Sequence, residues 1–314
     1  MNRIDFQEAK ALLRKNDRFA IVTHANPDGD TLGCAFALLR ALKKIGKTAK
    51  VVNEKSIPEK YSFIFFESDE FEDDEAVIAV DIADEKLMGK LQSKYAGRTL
   101  LCIDHHPSNT GYAENLLLCG DAAAACEIIF LLIKEMDTEI DENMATALYT
   151  GISTDTGCFR YSNVTSDTHR YAAELIDLGA DHVKSDTLMF ETKSKSEFIL
   201  QRMALEKMQV LFDGKAAIIS LTKKMFLESG ADESDADAIK SIPRQIEGVK
   251  IGVTLREGDG VFHVSLRTNA PYDASEICKK FGGGGHARAA GCEIALGEEE
   301  TKAEIIKAIR CYLE

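Results

Sequence analysis

The chain has 314 residues, 45% hydrophobic and 29% charged, an ordinary balance for a globular protein with room for two cored domains. Its formal net charge of −14 excludes a general nucleic-acid coat, yet it is compatible with a metal-loaded enzyme of small phosphate esters, because bound cations reverse the local field. No uninterrupted apolar run approaches the ~20 residues that cross a bilayer, the opening residues read as an amphipathic start rather than a signal peptide, and the cysteines are scattered without a C-x-x-C pair; this points to reduced thiols in a cytoplasmic protein with no membrane association.

A helix is expected over 5–15, then a strand at 18–23 built on Phe19-Ala20-Ile21-Val22. That strand runs into Thr23-His24-Ala25-Asn26-Pro27-Asp28-Gly29-Asp30. Leu32, Phe36, Leu39 and Leu42 stand at helical spacing within a helix over 31–47, which Gly46 ends. A strand near 49–52 and an irregular acidic stretch lead to the strand at 76–80, which ends in Asp81-Ile82-Ala83-Asp84. The apolar run Thr99–Ile103 reads as a buried strand and runs directly into Asp104-His105-His106. Helices follow around 122–136 and 142–153, the second delivering Thr154-Asp155-Thr156-Gly157. This alternation argues for an α/β fold with a mostly parallel sheet covered on both faces. Helical pattern prevails from 166 to 212, with Ser194–Phe212 expected as one connecting helix. Beyond it lies a smaller α/β unit: strands at 216–221, 249–255 and 261–267, a helix at 222–228, and helices near 273–281 and 299–312 flanking a glycine run. The expected division is 1–187, a helical linker 188–213, and 214–314.

Three strands ending in Asp and His at one rim of a sheet have the composition of a metal site, placed where open α/β sheets bind ligands. His24, Asp28 and Asp81 make one candidate shell, and Asp30, Asp81, His105 and Asp155 another, with Asp81 shared. Oxygen-rich shells with one imidazole each suit Mn²⁺ or Mg²⁺, with Fe²⁺ or Co²⁺ also accommodated. Two such ions about 3.5–4 Å apart supply a hydroxide and clamp an in-line displacement at phosphorus. Taken singly, a strand-ending Asp is more often a turn or cap residue; the weight rests on the motifs together. Asp84 reads as a helix cap and Cys34 as a small packing residue.

The run Gly282-Gly283-Gly284-Gly285-His286-Ala287-Arg288 costs chain entropy unless its backbone takes positive φ or approaches something closely. With His286 and Arg288 beside it the expected partner is an anion, held by backbone N–H groups and a helix N-terminus beyond; a flexible linker is the plain alternative. For Phe159, Tyr161 and Phe262, core packing is favoured over base stacking.

Together these motifs resemble the DHH phosphoesterase superfamily. The glycine loop and Ser265-Leu266-Arg267 are similar to the DHH-associated C-terminal domain of its nanoRNase and pAp-phosphatase branch, so the resemblance spans essentially the whole chain. It implies metals at His24, Asp28, Asp30, Asp81, His105 and Asp155. By the same resemblance His106 meets the substrate phosphate, as hydrogen-bond donor or as acid to the leaving oxygen, and Asp104 orients the histidine pair. Ser265, Arg267, Gly283, Gly284, Gly285 and His286 would grip nucleotide. Arg160 and Arg288 are further candidates, since a guanidinium fork matches phosphate; a surface ion pair is the alternative for each arginine alone. The implied activity is Mn²⁺-dependent hydrolysis of very short oligoribonucleotides, pApA included, to mononucleotides, and of pAp to AMP. A short interdomain cleft would favour short chains. Short RNA and small adenine nucleotides are then the partners, and a homodimer is compatible with the resemblance. Cyclic di-AMP hydrolysis is the nearest alternative activity. A non-catalytic nucleotide sensor or RNA-binding module is the alternative outside enzymes, disfavoured because every ligand position is filled.

Overall fold

The computed structural model describes residues 1–71 and 75–314, so residues 72–74 of the expected acidic stretch lie outside the described residues. Contacts divide the chain into Met1–Thr192 and Lys193–Glu314.

The first unit runs β1 (Asn2–Arg3), α1 (Phe6–Lys15), β2 (Arg18–Val22), α2 (Gly29–Lys44), β3 (Thr48–Val52), β4 (Ala76–Val80), α3 (Gln92–Tyr95), β5 (Thr99–Asp104), β6 (Asn115–Leu118), α4 (Ala125–Glu135), α5 (Glu142–Asp155), α6 (Ser166–Asp177) and α7 (His182–Asp186). Its six strands form one parallel sheet in the order β1-β6-β5-β4-β2-β3. The central strands show no polar alternation because both of their faces are buried. Phe19, Ile21, Ile78, Val80, Leu101 and Ile103 join the core that holds α2, α4 and α5. Ala20, Val22, Val77, Ala79 and Cys102 face a second, thinner layer closed by Ile82, Met88 and Tyr95. From β2 the chain steps one way to β3, while β4 lies on β2's other side. The loops leaving β2 and β4 therefore part, and open a crevice at the carboxyl ends of those strands.

The second unit runs α8 (Lys195–Glu206), β7 (Gln209–Leu211), β8 (Ala216–Leu221), α9 (Lys223–Ser229), α10 (Glu233–Ile239), β9 (Ile251–Glu257), β10 (Phe262–Thr268), α11 (Ala274–Lys279), β11 (Gly284–His286), β12 (Ala289–Ile294) and α12 (Glu298–Leu313). Its sheet has the order β11-β12-β10-β9-β8-β7, and only β8 and β9 pair in parallel.

Three expectations are corrected here. The helix expected over Ser194–Phe212 ends at Glu206, because Gln209–Leu211 pairs with β8 as an edge strand. Leu200 and Ala204 of α8 pack with Ile219, Leu221 and Met225. The segment expected as a linker over 188–213 is thus divided, its first residues closing the first unit in a wide turn, Thr187–Glu191, and the rest built into the second. After the glycine run no helix begins. Ala289–Ile294 is a strand, its alternate residues Ala290, Cys292 and Ile294 buried and its backbone paired with β10. Among the described residues no helix is long and apolar enough to cross a membrane.

Candidate active site

The loop after β2 turns directly into α2 because Asp28 caps it, its Oδ1 accepting from the N–H groups of Asp30 and Thr31 at 3.1 Å each. The Thr31 hydroxyl donates to the Val80 carbonyl at 3.0 Å and ties this helix start to the end of β4. Asp28 is nonetheless available to the crevice: His24 Nε2 lies 3.6 Å from its Oδ1 and 3.8 Å from Asp81 Oδ2. Asp30 is buried, and accepts from the Ala125 N–H at 2.6 Å and the Cys126 N–H at 2.8 Å. α4 has Ala124 at its own cap position, so Asp30 supplies the missing cap from 95 residues away in sequence, with its charge against the positive end of the helix dipole. The Cys34 and Cys126 sulfurs lie 3.5 Å apart beside it. Burial pushes both thiols up, which keeps them neutral packing groups.

Asp81 follows the last residue of β4 with φ of 57°, a left-handed backbone that aspartate tolerates better than most residues. Its N–H donates to the Ile103 carbonyl at 2.9 Å. Its buried Oδ1 has no hydrogen-bond partner among the described residues and lies 3.6 Å from both His105 Nε2 and His106 Nδ1. Burial first, then the charges of Asp30, Asp28, Asp155 and Asp104, push its carboxyl well above the usual range. Asp155, the last residue of α5, is pushed up to about 8 by burial and by Asp30 and Asp28.

His105 is set to act through one nitrogen. Its Nδ1 lies 3.1 Å from the Ala122 carbonyl, which can only accept, so Nδ1 carries the proton and Nε2 keeps a lone pair. That lone pair faces Asp81, Asp155 Oδ2 at 3.6 Å and Asp30 Oδ2 at 4.0 Å. Such separations are too long for hydrogen bonds. They come within an ångström of the roughly 3 Å between neighbouring ligand atoms in a shell with bonds of about 2.1 Å. Convergent carboxylates, an orphaned buried oxygen and an imidazole fixed in the ligating tautomer fit divalent cations. The ligand atoms fall into one group of His24, Asp28 and Asp81, another of Asp30, His105 and Asp155, and a third in which Asp81 meets both histidines.

Asp104 is fully buried and its carboxylate accepts four hydrogen bonds from the triplet and Asn109. Its Oδ1 accepts from His106 Nδ1 at 2.8 Å and from the N–H groups of His105 and His106, while Oδ2 accepts from Asn109 at 2.6 Å. Burial alone would push this carboxyl up; the hydrogen bonds from His106 and Asn109 together outweigh it and hold the group below its usual range. In return the hydrogen bond to Asp104 raises His106, whose half-exposed ring keeps Nε2 as its other polar atom. Asn109 escaped the sequence reading, its only signal being a turn-forming Asn shortly after the triplet. Asp84 caps the next turn by accepting from the Lys86 N–H at 2.9 Å, outside the cluster.

In the second unit β10 alternates, Val264 and Leu266 facing the core and Ser265 and Arg267 the other way. Register places Ser265, Gly291 and Gly284 in one cross-strand row, and Arg267, Ala289 and His286 in the next. Ser265, Arg267 and His286 therefore share one sheet face, on strands about 4.8 Å apart. The glycine run is a hairpin edge rather than a loop before a helix. A Cβ at Gly283 would fall 2.2 Å from the Gly291 carbonyl oxygen and one at Gly285, with φ of 142°, 2.7 Å from that of Ala289, whereas one at Gly284 meets open space. Arg267 donates to the Leu266 carbonyl at 3.0 Å, and Arg288 to the Tyr272 carbonyl. Arg160, in the first unit, donates from Nε to the Gly157 carbonyl at 2.6 Å and lies over the Phe190 ring. Phe159 stacks on His169 and Phe262 is buried, both as packing residues; Tyr161 is exposed.

Comparison with known proteins decides the family. The sequence matches the DHH family, N-terminal domain, over residues 18–152, and the DHHA1 domain over residues 214–314. It is 30% identical over 300 residues to the bifunctional oligoribonuclease and PAP phosphatase NrnA of Thermus thermophilus, covering 92% of this chain and 88% of that protein. The chain belongs to the DHH family. As a DHH protein it is a phosphoric ester hydrolase. An exopolyphosphatase-related protein from Bacteroides fragilis shares its fold, with a TM-score of 0.88 at 24% identity over 98% of this chain and 96% of that one. RecJ in complex with Mn²⁺ from Thermus thermophilus shares the DHH fold more distantly, with a TM-score of 0.59 at 16% identity over 98% of this chain and 54% of that one.

Proposed function

We propose that the protein hydrolyses very short oligoribonucleotides, pApA among them, to mononucleotides and pAp to AMP, with two divalent ions. Mn²⁺ comes first, as in the RecJ complex, and Mg²⁺, Co²⁺ and Fe²⁺ are alternatives. The observation that carries this reading is Asp81, whose buried Oδ1 has no hydrogen-bond partner among the described residues and faces the histidines at the crevice. The substrate class follows the activities named for the Thermus relative. His24, Asp28 and Asp81 would hold one ion, and Asp30, Asp81, His105 and Asp155 the other. When bound, such ions lower the pKa of an attacking water and neutralise charge on the phosphate. Asp104 accepts the hydrogen bond from His106 Nδ1 and favours the charged imidazolium, in which Nε2–H would donate to a phosphate oxygen or protonate the leaving oxygen. Ser265, Arg267, His286 and the backbone of Gly283–Gly285 receive nucleotide on the second sheet, with Arg288 and Arg160 as further phosphate partners. A net charge of −14 repels a long polyanion and leaves a small substrate to the cation-loaded crevice. Eight free thiols suit the reducing cytoplasm, where we place the enzyme.

The deciding assay compares an RNA dinucleotide, pAp, pApA, cyclic di-AMP and a long RNA with Mn²⁺, and repeats each after chelation. The dinucleotide, pApA and pAp are expected to turn over, faster than long RNA, and chelation to stop all of them. Faster cleavage of the long RNA would overturn the short-substrate reading, and tight binding without turnover would favour a sensor.

The glycine run gives a second test. Gly283→Ala is expected to lower the thermal midpoint, overpacking of this kind costing about 1–3 kcal/mol. Gly284→Ala is expected to leave the midpoint in place and to raise KM for the dinucleotide, because its methyl group meets only incoming ligand. An unchanged KM in Gly284→Ala would remove this backbone from the binding surface.

A further inference from the structure

The structure assigns Asn163 as a positioning residue for one of the two ions, an inference that rests on the metal-centre reading above. Asn163 lies eight residues beyond Asp155. Between them Gly157, Cys158 and Phe159 take φ of 57°, 58° and 59°, a left-handed turn that two non-glycine residues adopt only where their surroundings hold them. Here the Cys158 N–H donates to the Ser153 carbonyl at 2.7 Å and the Phe159 N–H to the Thr156 hydroxyl at 3.1 Å, and the Phe159 ring stacks on His169. The turn brings the chain back over the end of α5. Asn163 Nδ2 then donates to two backbone carbonyls, Ala123 at 2.9 Å and Asp155 at 3.2 Å.

Ala123 belongs to the short segment that seats the rest of this ligand group. The Ala122 carbonyl accepts from the Nδ1–H of His105, and the Ala125 N–H donates to Asp30. One side-chain amide therefore joins the backbone of Asp155 to the segment that fixes His105 and Asp30, the three residues whose ligand atoms lie within 4.8 Å of one another. Both partners are carbonyls, so only the NH₂ end of the amide can face them. Its Oδ1 is left buried with no hydrogen-bond partner among the described residues, a cost that an apolar residue would avoid. The double donor is what this position keeps. The other ligand group, His24, Asp28 and Asp81, includes none of the residues that Asn163 touches.

The test is a Mn²⁺ titration of the full chain, with free Mn²⁺ followed by electron paramagnetic resonance, for the parent, Asn163→Leu and Asn163→Ala. The parent is expected to bind two ions. In both variants one of the two affinities is expected to fall by about ten- to a hundredfold, the range for lost outer partners of metal ligands, while the other holds. Dinucleotide turnover should shift to higher Mn²⁺ in step with the weakened site. Two affinities that both hold, or that fall equally, would overturn the assignment. The alanine variant carries the test if circular dichroism shows the leucine variant unfolded. A parent that binds no Mn²⁺ would overturn the metal-centre reading itself, a distinct result.

Discussion

Asp81→Asn is expected to cut turnover by more than about a hundredfold, since loss of outer partners alone costs ten- to a hundredfold and this side chain stands in one ligand group with His24 and Asp28 and in another with His105 and His106. The same change is expected to raise the thermal midpoint of the metal-free protein. Asparagine has the shape of aspartate, tolerates the left-handed backbone at this position, and keeps the N–H bond to Ile103. It removes a carboxylate that is buried and faces Asp30, Asp28, Asp155 and Asp104. Dinucleotide turnover with Mn²⁺ and calorimetry of the stripped protein check the two halves separately. Full turnover in the variant would sink the two-ion model, and a lower midpoint would show that Asp81 supports the fold rather than taxing it.

The metal-free protein is expected to lose stability as pH rises from about 5 toward 8. Asp155 titrates near 8 in the folded state and Asp81 is raised as well, while both release their protons near 3.9 in the unfolded chain. Within that window the native state therefore holds protons that the unfolded state has lost, and unfolding becomes easier with each step upward in pH. The raised His106 acts in the same direction, its contribution present below its unfolded value and lost as pH climbs through the folded one. Asp104, held low, loses its contribution only below the window. One retained proton changes stability by at most about 1.4 kcal/mol per pH unit. Divalent cations displace these protons, so the rise in midpoint that Mn²⁺ produces should grow across the same range. Scanning calorimetry at pH 5, 6, 7 and 8, with and without Mn²⁺, measures both trends. A stripped protein whose midpoint is flat or rising over this range would refute the account.

The parts of this architecture that show in the sequence are those in which one short segment carries the whole signal. β2, β4 and β5 are apolar runs because both of their faces are covered, and the polar residues that end them, His24 to Asp30, Asp81 and Asp104 to His106, emerge at one rim as a matter of topology. β12 was not legible. Ala289-Ala290 carries no β-branched side chain, and only pairing with Phe262–Arg267 of β10 makes it a strand. β7 is three residues long, too short for any period to register. The supporting contacts were hidden for a different reason. Asn109 on Asp104 and Asp30 on α4 pair a side chain with a group whose position the fold alone determines.

Asp30 serves two masters, and that separates it from Asp81 as evidence about any descendant of this chain. A copy that had ceased to hydrolyse anything would still need a carboxylate to begin α4, so selection for folding alone would preserve the acid at position 30. Asp81 has no such cap to make: its Oδ1 has no hydrogen-bond partner among the described residues, and the left-handed backbone at this position is met as well by Asn or Gly. In such a lineage Asp81 would drift first, to Asn or Gly, and its identity rather than that of Asp30 would tell a living enzyme from a relic.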